Sequence, residues 1–174
     1  LEPSSRPCHP SRTYGPAPQH CEPRVTLPTR ADFRFFLAHR VRYVELDTQG
    51  IVFNAHYLTW YDEAVSDYIR AAGWAYQDEV KASGADFHVV RGLVEYKVAI
   101  GRRADLEIGA RCTRIGRSSV TFQPAVFPAG EDTLLATGEI VWVLTDQATR
   151  RPIPVPDKLR TMLSAFEGMD FSAP

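Results

Sequence analysis

The sequence predicts an α+β fold, in which a curled antiparallel five-stranded sheet wraps around one long central helix. Three observations lead to this prediction. A two-residue apolar period covers residues 33–43, a run without glycine or proline extends from Ala55 to Ala72, and four strand-like runs follow in succession. A strand, then a long helix, then a row of strands is an order typical of the α+β class.

The first predicted strand alternates between apolar and charged positions. Arginines occupy positions 34, 40 and 42 on one face, and the odd positions of the other face carry Phe33, Phe35, Leu37, His39, Val41 and Tyr43. Successive side chains of a strand point to opposite faces of its sheet, so this period of two predicts a half-buried strand. We expect the ordered domain to begin near Ala31.

The run Ala55–Ala72 predicts the central helix. Asn54 is a suitable N-cap, because its side chain can accept a backbone N–H of the first turn, and Gly73 is a suitable stop. Apolar and aromatic residues cover nearly the whole circumference of this helix, namely Tyr57, Leu58, Trp60, Tyr61, Ala64, Val65, Tyr68, Ile69 and Ala72. A helix of this kind is expected to be deeply buried rather than to lie on a surface.

The second half of the chain predicts a short helix, four strands and a final helix. The short helix covers residues 75–82 and ends at Gly84. The turns between the last three strands are short enough for antiparallel neighbours. The four strands are Phe87–Val98, Asp105–Ile115, Ser118–Phe127 and Leu134–Thr145. The final helix begins at Asp157 and has Leu159, Leu163 and Phe166 at helical spacing.

We divide the chain into a flexible N-terminal extension (1–30), one domain (31–168) and a C-terminal tail (169–174). The extension is rich in proline, serine and arginine and lacks apolar periodicity. It contains Cys8-His9 and His20-Cys21, whose spacing fits none of the usual zinc patterns. We therefore expect no metal site, and we expect no cofactor.

Composition argues against several classes of function. The chain has 174 residues, 44% of them hydrophobic, which suits one domain with a substantial core. A net charge of -1 gives no reason to expect nucleic acid or an anionic membrane as partner. We see neither a membrane-spanning apolar run nor a secretory leader. An odd number of cysteines, with Cys112 in an alternating strand, favours the reducing cytoplasm.

The segment between the first strand and the central helix carries the strongest candidate for chemistry. Asp47 lies seven residues before Asn54, across a turn marked by Gly50. A helix N-terminus offers unpaired N–H groups and a positive dipole end, which suit the oxygen of a polarised carbonyl. A nearby carboxylate can attack that carbonyl or take a proton from water. Because a thiolate leaves readily, these groups suffice for thioester hydrolysis.

A series of motifs runs through the chain in a familiar order. The first part consists of Arg42-Tyr43, Asp47-x-x-Gly50-Ile51-Val52-Phe53, Tyr57, Trp60-x-Asp62-x-Ala64 and Gly73. The second part consists of Phe87–Tyr96, Ser118–Phe122, Ala136–Gly138 and Pro152-Ile153-Pro154. In these motifs, over roughly residues 35 to 165, the chain resembles the hotdog-fold acyl-CoA thioesterases of the 4-hydroxybenzoyl-CoA thioesterase family.

The resemblance implies Asp47 as the catalytic carboxylate and the backbone N–H of Asn54 as the oxyanion donor. It also implies a homodimer or homotetramer with acyl-CoA sites at the subunit interface. The expected substrate-binding residues are Gly50, Val52, Phe53, His56 and Tyr57, and for the phosphates of coenzyme A they are Arg102, Arg103 and Arg117. This chain has Asn54 where many relatives have histidine, so only the backbone role is carried over.

Other interpretations remain open at this stage. Asp47 could simply cap its turn, and Asp62 or Glu63 could be the reactive group, since another hotdog lineage uses a helix carboxylate. The arginines could belong to a solvated loop. The protein could bind acyl-CoA or an acyl carrier protein without catalysis, and a hydratase of the same fold is a weaker alternative. The sequence does not identify the acyl group.

Overall fold

The computed structural model describes residues 27–171. Most of the predicted extension (1–30), with both Cys/His pairs, lies outside the described residues. Within them, Arg30 already binds the Glu107 carboxylate and stacks on Phe36, with 4.4 Å between its guanidinium carbon and the ring centroid. At the other end, Phe171 is buried, so packing continues three residues beyond the predicted boundary at 168.

The described chain contains the predicted five-stranded antiparallel sheet. Its strands are β1 (Phe36–Arg40), β2 (Ala85–Tyr96), β3 (Asp105–Ile115), β4 (Ser119–Pro128) and β5 (Ala136–Asp146). Their order across the sheet is β1-β3-β4-β5-β2, and every neighbouring pair is antiparallel. The α+β prediction is therefore confirmed, and the last four predicted strands agree with the observed bounds to within two residues.

The first strand is shorter than the alternation suggested. Its ladder with β3 ends where the N–H of Val41 donates to the carbonyl of Ala104 at 3.0 Å. Beyond that point the chain turns into a 3₁₀ helix at Tyr43–Glu45, with the Glu45 side chain accepting the backbone N–H of Arg42. Local hydrogen bonds of this kind compete with continuation of a strand, so the predicted span of 33–43 was too long.

The helices are α1 (His56–Ala71), α2 (Tyr76–Ser83) and α3 (Asp157–Glu167). The predicted N-cap was wrong. Ala55 precedes the first helical residue and makes no side-chain cap hydrogen bond, because a turn from Phe53 to His56 already leads the chain into the helix. The predicted stop is confirmed, since Gly73 adopts a φ of 102° immediately after the helix.

One face of α1 packs into the concave side of the sheet. The fully buried residues of this face are Trp60, Tyr61, Ala64, Val65, Tyr68 and Ile69. The opposite face is exposed in the single chain and carries Leu58, Thr59, Asp62, Glu63 and Ser66. The prediction that α1 is deeply buried on all sides was therefore wrong for one chain, because polar residues recur at helical spacing along its outer face.

The edge strand β2 exposes an unusual amount of apolar surface. Val89, Val90, Leu93 and Tyr96 are between 41% and 60% exposed, and Val98 just beyond the strand is 47% exposed. The register with β5 shifts between Val89 and Arg91, so Val90 is the additional residue of a bulge. None of the described helices has the length and apolar character required to cross a membrane.

Candidate active site

The loop from Leu46 to Val52 is a narrow reversal closed by backbone hydrogen bonds. The N–H of Asp47 donates to the carbonyl of Ile51 at 2.8 Å, and the N–H of Gly50 donates to the carbonyl of Asp47 at 3.0 Å. Gly50 has a φ of 75°, a backbone conformation that residues with a β-carbon rarely adopt. This glycine therefore shapes the turn that presents Asp47.

The Asp47 carboxylate uses one oxygen inside this turn. Its Oδ1 atom accepts the backbone N–H of Gln49 at 2.7 Å, which is the turn-capping contact considered above. Among residues 27–171, no hydrogen bond to the other oxygen, Oδ2, is present. Capping and reactivity are thus compatible here, because the turn holds one oxygen and leaves the second available to a substrate.

Asp47 lies in a cleft of about 320 Å³ between its own loop, the start of α1 and the end of β2. The residues around this cleft are Asp47, Ile51, Val52, Phe53, Asn54, Tyr57, Tyr96, Lys97, Val98 and Ala99. The structure thus brings together five residues that the sequence analysis named for the site: Asp47, Val52, Phe53, Asn54 and Tyr57.

Two backbone N–H groups at the entrance to α1 are unoccupied. Those of Asn54 and Ala55 donate to no other group within the described part of the chain, whereas the N–H of His56 donates to the carbonyl of Phe53 at 3.0 Å. Although Asn54 does not cap the helix, it is at the positive end of the helix dipole and lines the cleft beside Asp47. These groups can stabilise negative charge on a bound oxygen.

An aromatic pair forms one wall of the cleft. The rings of Tyr57 and Tyr96 meet edge to face, with 4.9 Å between their centroids. Burial, with a smaller contribution from the nearby Tyr96 phenol, raises the pKa of Tyr57 to about 12. Tyr57 is consequently a neutral phenol at physiological pH and can donate a hydrogen bond to a ligand.

Sequence reasoning did not name five residues of the cleft for the site, namely Ile51, Tyr96, Lys97, Val98 and Ala99. Four of them, residues 96–99, lie at or just beyond the end of β2. Their distance along the chain from Asp47 gave no signal that β2 would end beside the start of α1. Lys97 lines the cleft, and its Nζ atom lies 3.5 Å from a carboxylate oxygen of Glu95. The pairing of β2 with β5 at the edge of the sheet is what brings these residues to the site.

Two of the expected substrate-binding residues, Gly50 and His56, do not line the cleft. Gly50 shapes the turn, as described above. His56 packs against Phe53, with 6.1 Å between the ring centroids. The alternative carboxylates, Asp62 and Glu63, are on the exposed face of α1, outside the cleft that contains Asp47.

The three named arginines do not form one patch within a single chain. Arg102 and Arg103 line a second cleft, of about 610 Å³, together with Arg40, Val41, Arg42 and Tyr43. Arg117 follows the opposite end of β3, a strand of eleven residues that spans roughly 35 Å. Residues close to either end of one long strand are far apart, so Arg117 is not grouped with Arg102 and Arg103 within one chain.

Residues 27–171 contain no cluster of three or more histidine, cysteine, aspartate or glutamate side chains placed to hold a metal ion. Cys112 is buried in β3, and desolvation raises the pKa of its thiol to about 12. This burial makes the cysteine a packing residue rather than a nucleophile.

This fold and this cleft can be compared with known proteins. The chain belongs to the thioesterase-like superfamily, which it matches over residues 41–163. It is 28% identical to the acyl-CoA thioester hydrolase YbgC of Escherichia coli over 120 residues, which are 69% of this chain and 88% of that protein.

Solved structures agree with the family. The PA5185 protein of Pseudomonas aeruginosa superposes with a TM-score of 0.70 at 28% identity, over 84% of this chain and 99% of that one. A thioesterase of Thermus thermophilus, crystallised with coenzyme A and zinc, has a TM-score of 0.67 at 28% identity, over 79% of this chain and 96% of that one. The hotdog fold and the class of enzyme, a thioester hydrolase, are thereby confirmed.

Proposed function

We propose that the protein is an acyl-CoA thioesterase of the 4-hydroxybenzoyl-CoA type that releases a free carboxylate and coenzyme A. The observation that carries this proposal is the shared cleft, which is lined by both Asp47 and Asn54, the latter with an unoccupied backbone N–H group. A carboxylate and an oxyanion site in one small cleft are the two groups that thioester hydrolysis requires.

In the proposed reaction the carbonyl oxygen of the thioester accepts hydrogen bonds from the N–H groups at the start of α1. Asp47 then either attacks the carbonyl carbon, forming an anhydride that water hydrolyses, or takes a proton from a water molecule that attacks instead. In both routes the C–S bond breaks and the sulfur leaves as a thiolate, which takes up a proton to become the thiol. Negative charge on the carbonyl oxygen is stabilised most at the tetrahedral stage, when it is greatest.

The choice of acyl-CoA as substrate is supported by similarity and by charge. YbgC is named an acyl-CoA thioester hydrolase, and the Thermus thermophilus thioesterase was crystallised with coenzyme A. In this chain, Arg102 and Arg103 lie beside Arg40 and Arg42 in the 610 Å³ cleft. Guanidinium groups pair well with phosphate oxygens, so we assign this cleft to the phosphates of coenzyme A.

The acyl group is proposed to lie against the aromatic wall of the smaller cleft. Phe53, Tyr57 and Tyr96 surround it with apolar ring surface, and the Tyr57 phenol adds a polar end. Apolar walls with a few polar groups are typical of small-molecule sites. The lining suits a compact or aromatic acyl group.

A homodimer or homotetramer with sites at the subunit interface is part of the proposal. The exposed valines and leucine of β2 and the exposed outer face of α1 adjoin each other, and pairing of two β2 edges would cover both. The cytoplasmic location inferred from the cysteines stays a prediction.

The proposal is tested by measuring thiol release from a panel of aromatic and aliphatic acyl-CoA esters with a thiol-trapping dye. We expect turnover of at least one ester, and loss of that turnover in Asp47→Ala. The alternative is a protein that binds acyl-CoA without catalysis. It would be supported by tight binding in calorimetry together with no thiol release from any ester.

A further inference from the structure

Glu45 is a fully buried carboxylate two residues before Asp47. Three side chains and one backbone group surround it. Its Oε1 atom accepts the indole N–H of Trp60 at 2.9 Å and an Nη2 hydrogen of Arg42 at 2.8 Å. Its Oε2 atom accepts the backbone N–H of Arg42 at 2.7 Å and lies 3.2 Å from Nε2 of His39. One side chain therefore connects β1, the 3₁₀ turn and the central helix.

The backbone of the same residue connects the turn to the start of α1. The carbonyl of Glu45 accepts the N–H of Phe53 at 2.8 Å, and Phe53 immediately precedes Asn54. Asp47 lies two residues after Glu45, and Asn54 lies one residue after Phe53. The hydrogen bond between Glu45 and Phe53 therefore connects the two proposed catalytic positions. The position of Glu45 thus bears on both the loop that carries Asp47 and the start of α1.

We propose that Glu45 is a positioning residue, whose buried carboxylate holds the Asp47 loop at the distance from the α1 N-terminus that the reaction needs. This inference deepens the proposed function and rests on it. Glu45 does not line the cleft that contains Asp47, so it acts through the loop and not on the substrate.

Physical chemistry explains why a carboxylate suits this task. A buried charge is costly unless it is hydrogen-bonded, so the carboxylate and the four groups around it hold one another in a single arrangement. Burial acts to raise the pKa of Glu45, but the hydrogen bonds from Arg42, Trp60 and His39 outweigh it and lower the pKa to about 2. The charge, and with it the arrangement, therefore persists at every pH at which the enzyme would work.

The test is Glu45→Gln, which keeps the size of the side chain but faces an amide NH₂ toward groups that donate. We expect kcat to fall by roughly 10- to 100-fold, the scale of effect caused by misplacing reacting groups by about 1 Å. KM for acyl-CoA should change less than about threefold, because the substrate contacts are elsewhere.

Glu167→Gln is the matched control. Glu167 is likewise a buried carboxylate, which accepts the Tyr68 hydroxyl and the backbone N–H of Cys112, at the end of α3 and away from the cleft. This control should melt at a lower temperature with an unchanged kcat. If kcat falls equally in Glu45→Gln and Glu167→Gln, the loss of activity follows from lost stability. That result would overturn the positioning role.

A double-mutant cycle separates positioning from general damage. If Glu45 acts through Asp47, then adding Glu45→Gln to Asp47→Ala should lower the residual activity by less than about twofold. An equal fall in both backgrounds would overturn the proposal, as would an unchanged kcat in Glu45→Gln alone. Should Glu45→Gln fail to fold, His39→Leu removes a single partner of the carboxylate and is expected to lower kcat with KM retained.

Failure of this inference can be told apart from failure of the proposed function. Loss of turnover in Asp47→Ala, combined with normal turnover in Glu45→Gln, overturns the role of Glu45 and leaves the thioesterase intact. Normal turnover in Asp47→Ala removes Asp47 from the chemistry and overturns the role of Glu45 with it, whereas absence of thiol release from every ester by the native protein overturns the proposed function.

Discussion

The hydroxyl of Tyr96 donates a hydrogen bond to the backbone carbonyl of Asn54 across 3.1 Å. This bond connects the end of the edge strand β2 to the segment just before α1. The same tyrosine packs its ring against Tyr57 inside the cleft. The strand that exposes the most apolar surface therefore also builds a wall of the candidate active site. Assembly through β2 and the order of the site should consequently depend on each other.

The first prediction concerns Asp47. Asp47→Asn should lower kcat at least roughly 100-fold, the usual effect of removing an acid–base group or nucleophile. Folding should be retained, because asparagine can still accept the Gln49 N–H that Oδ1 accepts now. Steady-state kinetics and a thermal melt measure both effects. Glu63→Gln, on the exposed face of α1, is the control, and a reversed pair of results would identify the helix carboxylate as the reactive group.

The second prediction concerns assembly. We expect a dimer or larger species at micromolar concentration, and Val90→Lys should shift it toward monomer and reduce turnover. Val90 is the exposed bulge residue of β2, and placing a charge there opposes pairing with another edge. Ala38→Lys, an exposed position on the opposite edge strand β1, should leave the mass unchanged. Light scattering measures the mass, and a monomeric native protein would contradict the shared-site proposal.

The third prediction concerns the arginine-lined cleft. Arg103→Gln should raise KM for acyl-CoA and leave kcat nearly unchanged, because contacts to the nucleotide phosphates are made equally in the ground and transition states. The effect should weaken with added salt. An acyl-pantetheine substrate, which lacks the nucleotide, should be hydrolysed at the native rate.

Arg117→Gln is the comparison for this third prediction, since Arg117 lies beyond the far end of β3 from the cleft. A larger rise in KM from Arg117→Gln than from Arg103→Gln would mean that the phosphates bind at the far end of the strand. Equal losses on acyl-CoA and acyl-pantetheine would mean that Arg103 supports the fold instead.

The fourth prediction follows from the depressed pKa of Glu45, about 2 in the folded protein against an ordinary 4.5. A group with a depressed folded pKa stabilises the protein above its unfolded pKa, and that stability is lost as the pH falls from about 4.5 toward 2. A shift of this size corresponds to roughly 3 kcal/mol. His39 and Arg42 are the ionisable groups that face the carboxylate.

Urea unfolding of the native protein and of Glu45→Gln between pH 7 and pH 2.5 isolates this contribution. The difference in unfolding free energy should be largest at neutral pH and should shrink as the solution is acidified. A difference that stays constant across this range would show that the Glu45 charge does not contribute.

The fifth prediction concerns the junction of β2 and β5. A β-carbon at Gly138 would overlap the carbonyl oxygen of Leu93 and lie 2.7 Å from a ring carbon of Tyr61. Gly138→Ala should therefore destabilise the fold by about 1–3 kcal/mol, which a thermal melt detects. Gly101→Ala is the matched control, because a β-carbon there meets nothing within 4 Å. Similar melting temperatures for the two variants would contradict the steric argument.

The sheet could be predicted because the alternation of side chains that marks a strand is a local property of the sequence. Asp105–Ile115 was predicted to the residue, since Leu106, Ile108, Ala110 and Cys112 alternate with polar neighbours and are all buried in the structure. Alternation depends on the pleat of a single strand, and no distant contact is needed to produce it.

The part of the candidate site whose residues lie close together in the sequence could be predicted. Asp47, Gly50 and Asn54 lie within eight residues of one another, so their proximity follows from one turn. Tyr96 and Lys97 were missed because they reach the cleft through the pairing of β2 with β5. The separation of Arg117 from Arg102 and Arg103 within one chain was likewise not predictable, because it depends on the length and direction of β3.

The sequence by itself determined the order and type of the elements and the turn that presents Asp47, because hydrophobic period, glycine and chain proximity act over a few residues. Tertiary structure decided which strand lies at each edge of the sheet, which face of α1 is covered, and which groups hydrogen-bond to the Glu45 carboxylate. Those features depend on contacts between segments far apart in the chain. His39 and Trp60, for example, meet Glu45 only once β1 and α1 have packed against the same turn.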